Sequence, residues 1–130
     1  MAAVDTLVAL PARRRIVVAG EMLELGATSE QLHRDCGRYM AGIQAGSKID
    51  FLLGVRGLAE SMVEAARQAG MKAEFVATPE EAGEWLAHET REGDVVLLKA
   101  SRGVKLEKAL ETWKQRIGFP PGAGKLRTEN

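Results

Sequence analysis

The sequence predicts an α/β fold: a small Rossmann-like, doubly wound, mainly parallel sheet with helices on both faces. Three observations carry this. Four short apolar runs alternate with four segments of helical periodicity, the pattern of parallel strands covered on both sides. Turn and cap residues, including Gly20, Ser29, Gly70, Thr78-Pro79 and Gly93, punctuate the junctions. The 130 residues, 45% hydrophobic and 28% charged, suit one domain with an ordinary core.

Taken in order, Val4, Leu7, Val8 and Leu10 have helical spacing with no capping residue ahead of them, as in a helix cut at its front, and Pro11 ends it. Ile16 to Ala19 is a β-branched run closing on Gly20, the first strand. Ser29 can cap a helix whose apolar positions include Leu32, Cys36, Tyr39, Met40 and Ile43, ending near Gly46. Ile49 to Val55 is a second apolar strand, followed by Leu58, Met62, Val63 and Ala66 on one helical face and a stop at Gly70. Ala73 to Ala77 is a third, shorter strand. Thr78-Pro79-Glu80-Glu81 opens the next helix with a cap, a first-position proline and acids in the first turn, and the helix carries Ala82, Trp85 and Leu86. After a turn at Gly93-Asp94, Val95 to Leu98 is the most apolar strand, and Val104 to Arg116 forms the final helix. Residues 1–116 are expected to be one domain, and 117–130, rich in Gly, Pro and charge, a flexible tail.

Eighteen basic residues balance eighteen acidic ones, so no overall field draws this chain to nucleic acid or to an anionic membrane. An anion must be held by local geometry. The single cysteine, Cys36, excludes an internal disulfide and a multi-cysteine metal site, which suits a reducing compartment. No apolar run reaches the ~20 residues of a bilayer span, and Asp5 stands where a signal peptide has basic residues. A cytoplasmic location is expected.

In a doubly wound sheet, ligands sit beyond the carboxyl ends of the strands, so the loops after the first, second and fourth strands are where chemistry is sought. The last of these reads Lys99-Ala100-Ser101-Arg102-Gly103 and runs into a helix, a combination that can hold an anion. Lysine brings a point charge, serine a hydroxyl, arginine a planar fork, and the helix its free N–H groups. Ser101 could equally serve only as a helix cap. The loop after the first strand, Gly20-Glu21-Met22-Leu23-Glu24-Leu25-Gly26, sets two carboxylates between glycines. They can orient a substrate amine or a ribose hydroxyl, or simply hold their own loop. His33 in the next helix reads as a packing histidine sooner than a general base, and His88 has no partner at metal-ligand spacing. No metal site is expected. Pro121 to Lys125 looks like the end of a phosphate-binding loop, but Phe119 stands where the first glycine belongs and Leu126 where Ser or Thr belongs, so the motif is rejected. Trp85 and Trp113 are expected as core anchors and Cys36 as an inert thiol.

These positions, in this order, resemble the C-terminal domain of the Mur ligase family, in the branch that adds D-alanyl-D-alanine to UDP-N-acetylmuramoyl-tripeptide. The family pattern of Gly-Asp-Met, a variable residue and Glu-Leu-Gly after the first strand is matched by Gly20 to Gly26. Its helix with His, three residues and Gly is matched by His33 and Gly37. Its last strand ending Val-Lys-Gly-Ser-Arg, with Met-Glu in the helix beyond, is matched by Leu98 to Arg102 with Leu106-Glu107. Glu21 replaces the family's Asp, Ala100 its Gly and Leu106 its Met. The β-carbon at Ala100 limits how closely a ligand can approach that backbone.

The resemblance covers about residues 1 to 116. It implies one domain of an ATP-dependent ligase in peptidoglycan synthesis. Such ligases have an N-terminal domain for the UDP-sugar, a central P-loop ATPase holding most of the ATP and Mg, and a C-terminal domain that closes over ATP and brings the amino component. It further implies that Lys99, Ser101 and Arg102 hold the carboxylate of D-Ala-D-Ala or a phosphate. Glu21, Met22 and Glu24 would form a nucleotide-facing loop supported by His33, with no catalytic residue within the 130. The partners implied are the N-terminal and central domains, D-Ala-D-Ala and UDP-muramoyl-tripeptide. The segment that opens this domain in the family is not found ahead of the first helix, which implies a truncated piece that is inactive alone. The competing expectation is a stand-alone Rossmann-like module for an anion or nucleotide, since architecture alone does not set function.

Overall fold

A computed structural model describes residues 13–21, 29–45, 49–99, 107–117 and 125–129. The expected helix over residues 1–10 lies outside them. Nine elements follow in order: β1 (Arg14–Gly20), α1 (Ser29–Ala45), β2 (Phe51–Val55), α2 (Ala59–Gln68), β3 (Ala73–Val76), α3 (Pro79–Glu89), β4 (Asp94–Lys99), α4 (Glu107–Ile117) and β5 (Lys125–Glu129). The strands form one sheet in the order β3-β2-β1-β4-β5, and every neighbouring pair is parallel.

The interior explains the order. Alternate residues of the strands face opposite sides of the sheet. Val17, Leu52 and Leu97 pack with Met40, Met62 and Ala66 of α1 and α2. Ile16, Val18, Leu53 and Val96 pack with Ala82, Leu86, Ala109 and Trp113 of α3 and α4. Strands β1, β2 and β4 are therefore buried on both faces, which is why each reads as an unbroken apolar run rather than as an alternation. Each helical layer is drawn tight by a glycine. A β-carbon on Gly37 of α1 would lie 2.2 Å from the Met62 carbonyl oxygen of α2, and one on Gly83 of α3 would lie 2.5 Å from the Ala109 oxygen of α4.

Three expectations change. Strand β1 begins at Arg14 and β4 at Asp94, because the ladder pairs Arg14 with Asp94 where hydropathy alone marks only the apolar centre. In α1 the inward stripe is His33, Gly37, Met40 and Ala41, spaced i, i+4, i+7 and i+8. Leu32 and Tyr39 are instead exposed at 39% and 40%, because the face turned to α2 is the one that carries Gly37. Lys125–Glu129, within the segment expected to be a tail, pairs as a fifth strand along Val95 to Lys99 of β4. A ladder of backbone hydrogen bonds needs no hydrophobic signature.

Candidate functional site

The chain runs outward from β1 through β2 to β3, then crosses back to β4 on the other side of β1. Helices α1 and α2 cover one face and α3 and α4 the other. Connections thus diverge above the carboxyl ends of β1 and β4, the switch point at which such sheets leave a crevice. Pairing of Ala19 with Lys99 and of Gly20 with Val55 sets three strand ends side by side. The loops singled out in the sequence leave from this edge.

Lys99 is the last residue of β4 and is half-buried. Its charge is felt by Cys36 of α1, whose thiol is pushed up from its ordinary pKa mainly by burial, with Asp35 adding to the rise and Lys99 opposing it. A protonated thiol packed against the core is unreactive, in line with the inert role expected. Ala100, Ser101 and Arg102 lie outside the described residues, as do Met22 and Glu24.

Glu21 is half-buried, and its place explains an oddity in the next unit. The start of α2 has no side-chain cap of its own: Leu58 stands at the cap position without a capping hydrogen bond. The amides of Ala59, Glu60 and Ser61 reach back to the carbonyls of Arg56, Gly57 and Leu58 at 3.0–3.1 Å, which leaves the Leu58 N–H. Glu21 accepts it through Oε2 at 2.9 Å, while the Glu21 amide donates to the Val55 carbonyl at 3.1 Å. A carboxylate is a good partner at a helix N-terminus, where backbone dipoles leave partial positive charge.

The turn beneath it is unusual. Arg56 has φ of 72° and Gly57 φ of 52°, two successive residues in the left-handed region, which a side chain other than that of Gly enters at a cost. A β-carbon on Gly57 would meet the Glu21 carboxylate at 2.1 Å. Glycine is required there on both counts.

His33 is fully buried, and its Nδ1–H donates to the Ser29 carbonyl at 2.5 Å. It holds the first turn of α1 and packs inward. The structure thus brings Glu21 and Lys99 to neighbouring strand ends and sets His33 beneath them in the α1 layer. The link from Glu21 to Leu58 was not anticipated. Its signal was there to be read: Arg56-Gly57-Leu58 offers none of the usual capping side chains, so the cap had to come from elsewhere in the chain.

Two further places are distinct from this edge. A groove of about 590 Å³ is lined by Glu84, Trp85, Ala87, His88 and Glu89 of α3 and Arg116 of α4, at the amino-terminal pole of the sheet. Trp85 there is half-buried, stacked 4.7 Å from Phe51 and bonded through Nε1–H to Glu74 at 2.8 Å. It is a wall of the core. Among the described residues no group of three His, Cys, Asp or Glu side chains could hold a metal ion. None of the described helices is long and apolar enough to cross a membrane.

The profile of one protein family, described as Mur ligase, glutamate ligase domain, matches residues 1–102. Among solved structures, MurF from Acinetobacter baumannii is similar at 26% identity and a TM-score of 0.75 over 88% of this chain. A MurF ligase from Thermotoga maritima, solved in complex with ADP, is similar at 26% identity and a TM-score of 0.68 over 89% of this chain. In both cases the likeness covers 25% of the other chain, so the present chain spans about a quarter of their length.

Proposed function

The chain belongs to the Mur ligase family, and on that premise we propose that it serves as the C-terminal domain of an ATP-dependent, amide-forming ligase. In this reading the ligase adds D-Ala-D-Ala to UDP-N-acetylmuramoyl-tripeptide in peptidoglycan synthesis. The observation that carries the reading is the convergence of Glu21 and Lys99, from two separate motifs, at the ends of adjacent strands at the switch point. Lys99 at the rim of the crevice, with Ser101 and Arg102 in the loop that follows it in sequence, would hold a carboxylate or phosphate. The loop from Glu21 through Met22 to Glu24 would face the nucleotide, and His33 would steady the helix behind it.

ATP supplies the phosphoryl group that activates a carboxylate for attack by an amine. ATP and Mg would be held mainly by a central ATPase domain, and an N-terminal domain would hold the UDP-sugar. The residues of this chain would orient the amino component and exclude water as the domain closes, effects of positioning that depend on the completed site. A cytoplasmic setting, where the nucleotide-linked precursor and ATP are both present, fits this role.

Titration of the 130-residue chain with D-Ala-D-Ala, and separately with ATP, followed by amide NMR, tests the reading. Saturable shifts confined to residues 20–26 and 99–103 are expected, weakened in Lys99→Gln. No ATP hydrolysis is expected from the chain alone. Shifts centred on the α3–α4 groove, or ATP turnover by a homogeneous preparation, would overturn it.

A further inference from the structure

We propose that Glu21 is a positioning residue, a pin that ties the end of β1 to the start of α2 and so fixes the end of β1 against the Arg56-Gly57 turn. That this edge of the sheet serves a ligase rests on the reading above; the pin itself does not.

The tie has two anchors. The Glu21 amide is held by the Val55 carbonyl, and its carboxylate by the Leu58 amide. Both partners flank Arg56-Gly57, whose consecutive positive φ values reverse the chain between β2 and α2. The carboxylate lies against the open side of Gly57, so the turn and the pin are built to fit each other. A residue held at backbone and side chain across one turn has little freedom, and the end of β1 is fixed with it. The Oε2 lone pairs used on Leu58 are not available to a nucleotide, and the charge is stabilised by the helix N-terminus. This gives Glu21 its effect through geometry. A group that contacted ligand through its charge would depend on the carboxylate; a pin depends only on an acceptor oxygen at that place, which a glutamine also offers.

The test is amide hydrogen exchange, read by NMR on the full 130-residue chain at neutral pH, with Glu21→Gln and Glu21→Ala. In the unmodified chain and in Glu21→Gln the Leu58 amide should be protected from exchange, and in Glu21→Gln the unfolding equilibrium constant should rise about twofold, the loss of charge at a helix end. In Glu21→Ala the Leu58 amide should exchange freely and the constant should rise about fivefold, the usual effect of removing a cap. A Leu58 amide as protected in the alanine variant as in the unmodified chain, or a glutamine variant as destabilised as the alanine one, would overturn the pin. With D-Ala-D-Ala or ATP added, the alanine variant should weaken the response more than the glutamine variant does. An equal loss in the two variants with Leu58 still protected in the glutamine one would show that the carboxylate touches ligand, and would also overturn the proposal. If the unmodified chain responds only at the α3–α4 groove, the ligase reading fails and the protection of Leu58 still decides the pin.

Discussion

The two poles of the sheet handle charge in opposite ways. At the amino-terminal pole Asp94 is completely buried, and its carboxylate is surrounded. Arg13 approaches Oδ1 at 3.0 Å, Arg14 lies 3.0 Å from Oδ2, and the Arg91 amide donates to Oδ2 at 2.9 Å. Arg14 also donates to the Glu89 carbonyl at the end of α3, and Asp50 accepts from the Arg15 amide at 2.7 Å. At the carboxyl-terminal pole Glu21 and Lys99 are only half-buried. One pole uses charge to close the end of the sheet; the other leaves it half-exposed at the strand ends. A buried, many-partnered carboxylate is costly to break, whereas half-buried charges at a switch point stand where sheets of this kind receive ligands.

The contrast breaks most directly at Asp94. Asp94→Ala removes the acceptor that Arg14 and the Arg91 amide share and the counter-charge of Arg13, and should cost about 3 kcal/mol, the low end for a broken buried pair because the guanidinium groups can turn to solvent. Urea unfolding measures the loss, and the ligand response at residues 20–26 and 99–103 should persist in the folded fraction. A change under 1 kcal/mol would mean that this pole does not carry the stability assigned to it.

The next largest effect separates the layers. Gly37→Ala drives a methyl group into the Met62 carbonyl and should cost about 2 kcal/mol through forced separation of α1 from α2. Leu58 starts α2 with Glu21 bonded to it, and the charge of Lys99 reaches Cys36 of α1, so amide shifts at Glu21, Leu58 and Lys99 should move while those around Asp94 hold. Gly83→Ala, against Ala109 and Thr112, should have a similar cost with the disturbance confined to α3 and α4.

The division between the poles also decides what could be read from the sequence. The parallel, doubly wound sheet was legible because burial on both faces forces continuous apolar runs such as Val95 to Leu98, with a helical period between them. The candidate loops were legible because topology puts them at strand ends. Asp94 was not: beside Gly93 it reads as a turn residue, and its partners are Arg13 and Arg14 at the start of β1, far away in sequence. The capping of α2 by Glu21 is long-range in the same way. Strand β5 carries no apolar run, and Leu32 and Tyr39 face outward because the site of closest helix contact went to Gly37. Local pattern reports which side of an element is apolar, and it is silent on which partner comes close enough to demand a glycine.

A smaller effect compares two caps at the same pole. Thr78 caps α3 from the adjacent position, accepting the Glu81 amide at 3.2 Å, whereas Glu21 caps α2 from another strand. Thr78→Ala should cost about 1 kcal/mol and leave the ligand response unchanged, because a local cap joins nothing beyond its own helix. A fall in ligand response with Thr78→Ala would mean that general softening of the strand ends, and not the link from β1 to α2, sets the geometry of the crevice.

The smallest effect lies at Cys36, behind the crevice. Burial raises the thiol pKa, partly offset by Lys99, so the folded chain holds the thiol proton more tightly than the unfolded chain does. Stability from this group is therefore present below the ordinary thiol pKa and is lost as pH rises from there through the folded value. The unfolding free energy of the native chain should decline in alkaline solution more steeply than that of Cys36→Ala, and iodoacetamide at neutral pH should label the folded chain more slowly than the urea-unfolded one. Removing the Lys99 charge should slow alkylation of the folded chain further, since the lysine favours the thiolate. Equal labelling rates in Lys99→Gln and the native chain would show that the lysine charge points away from α1, and would place it at the open rim of the crevice.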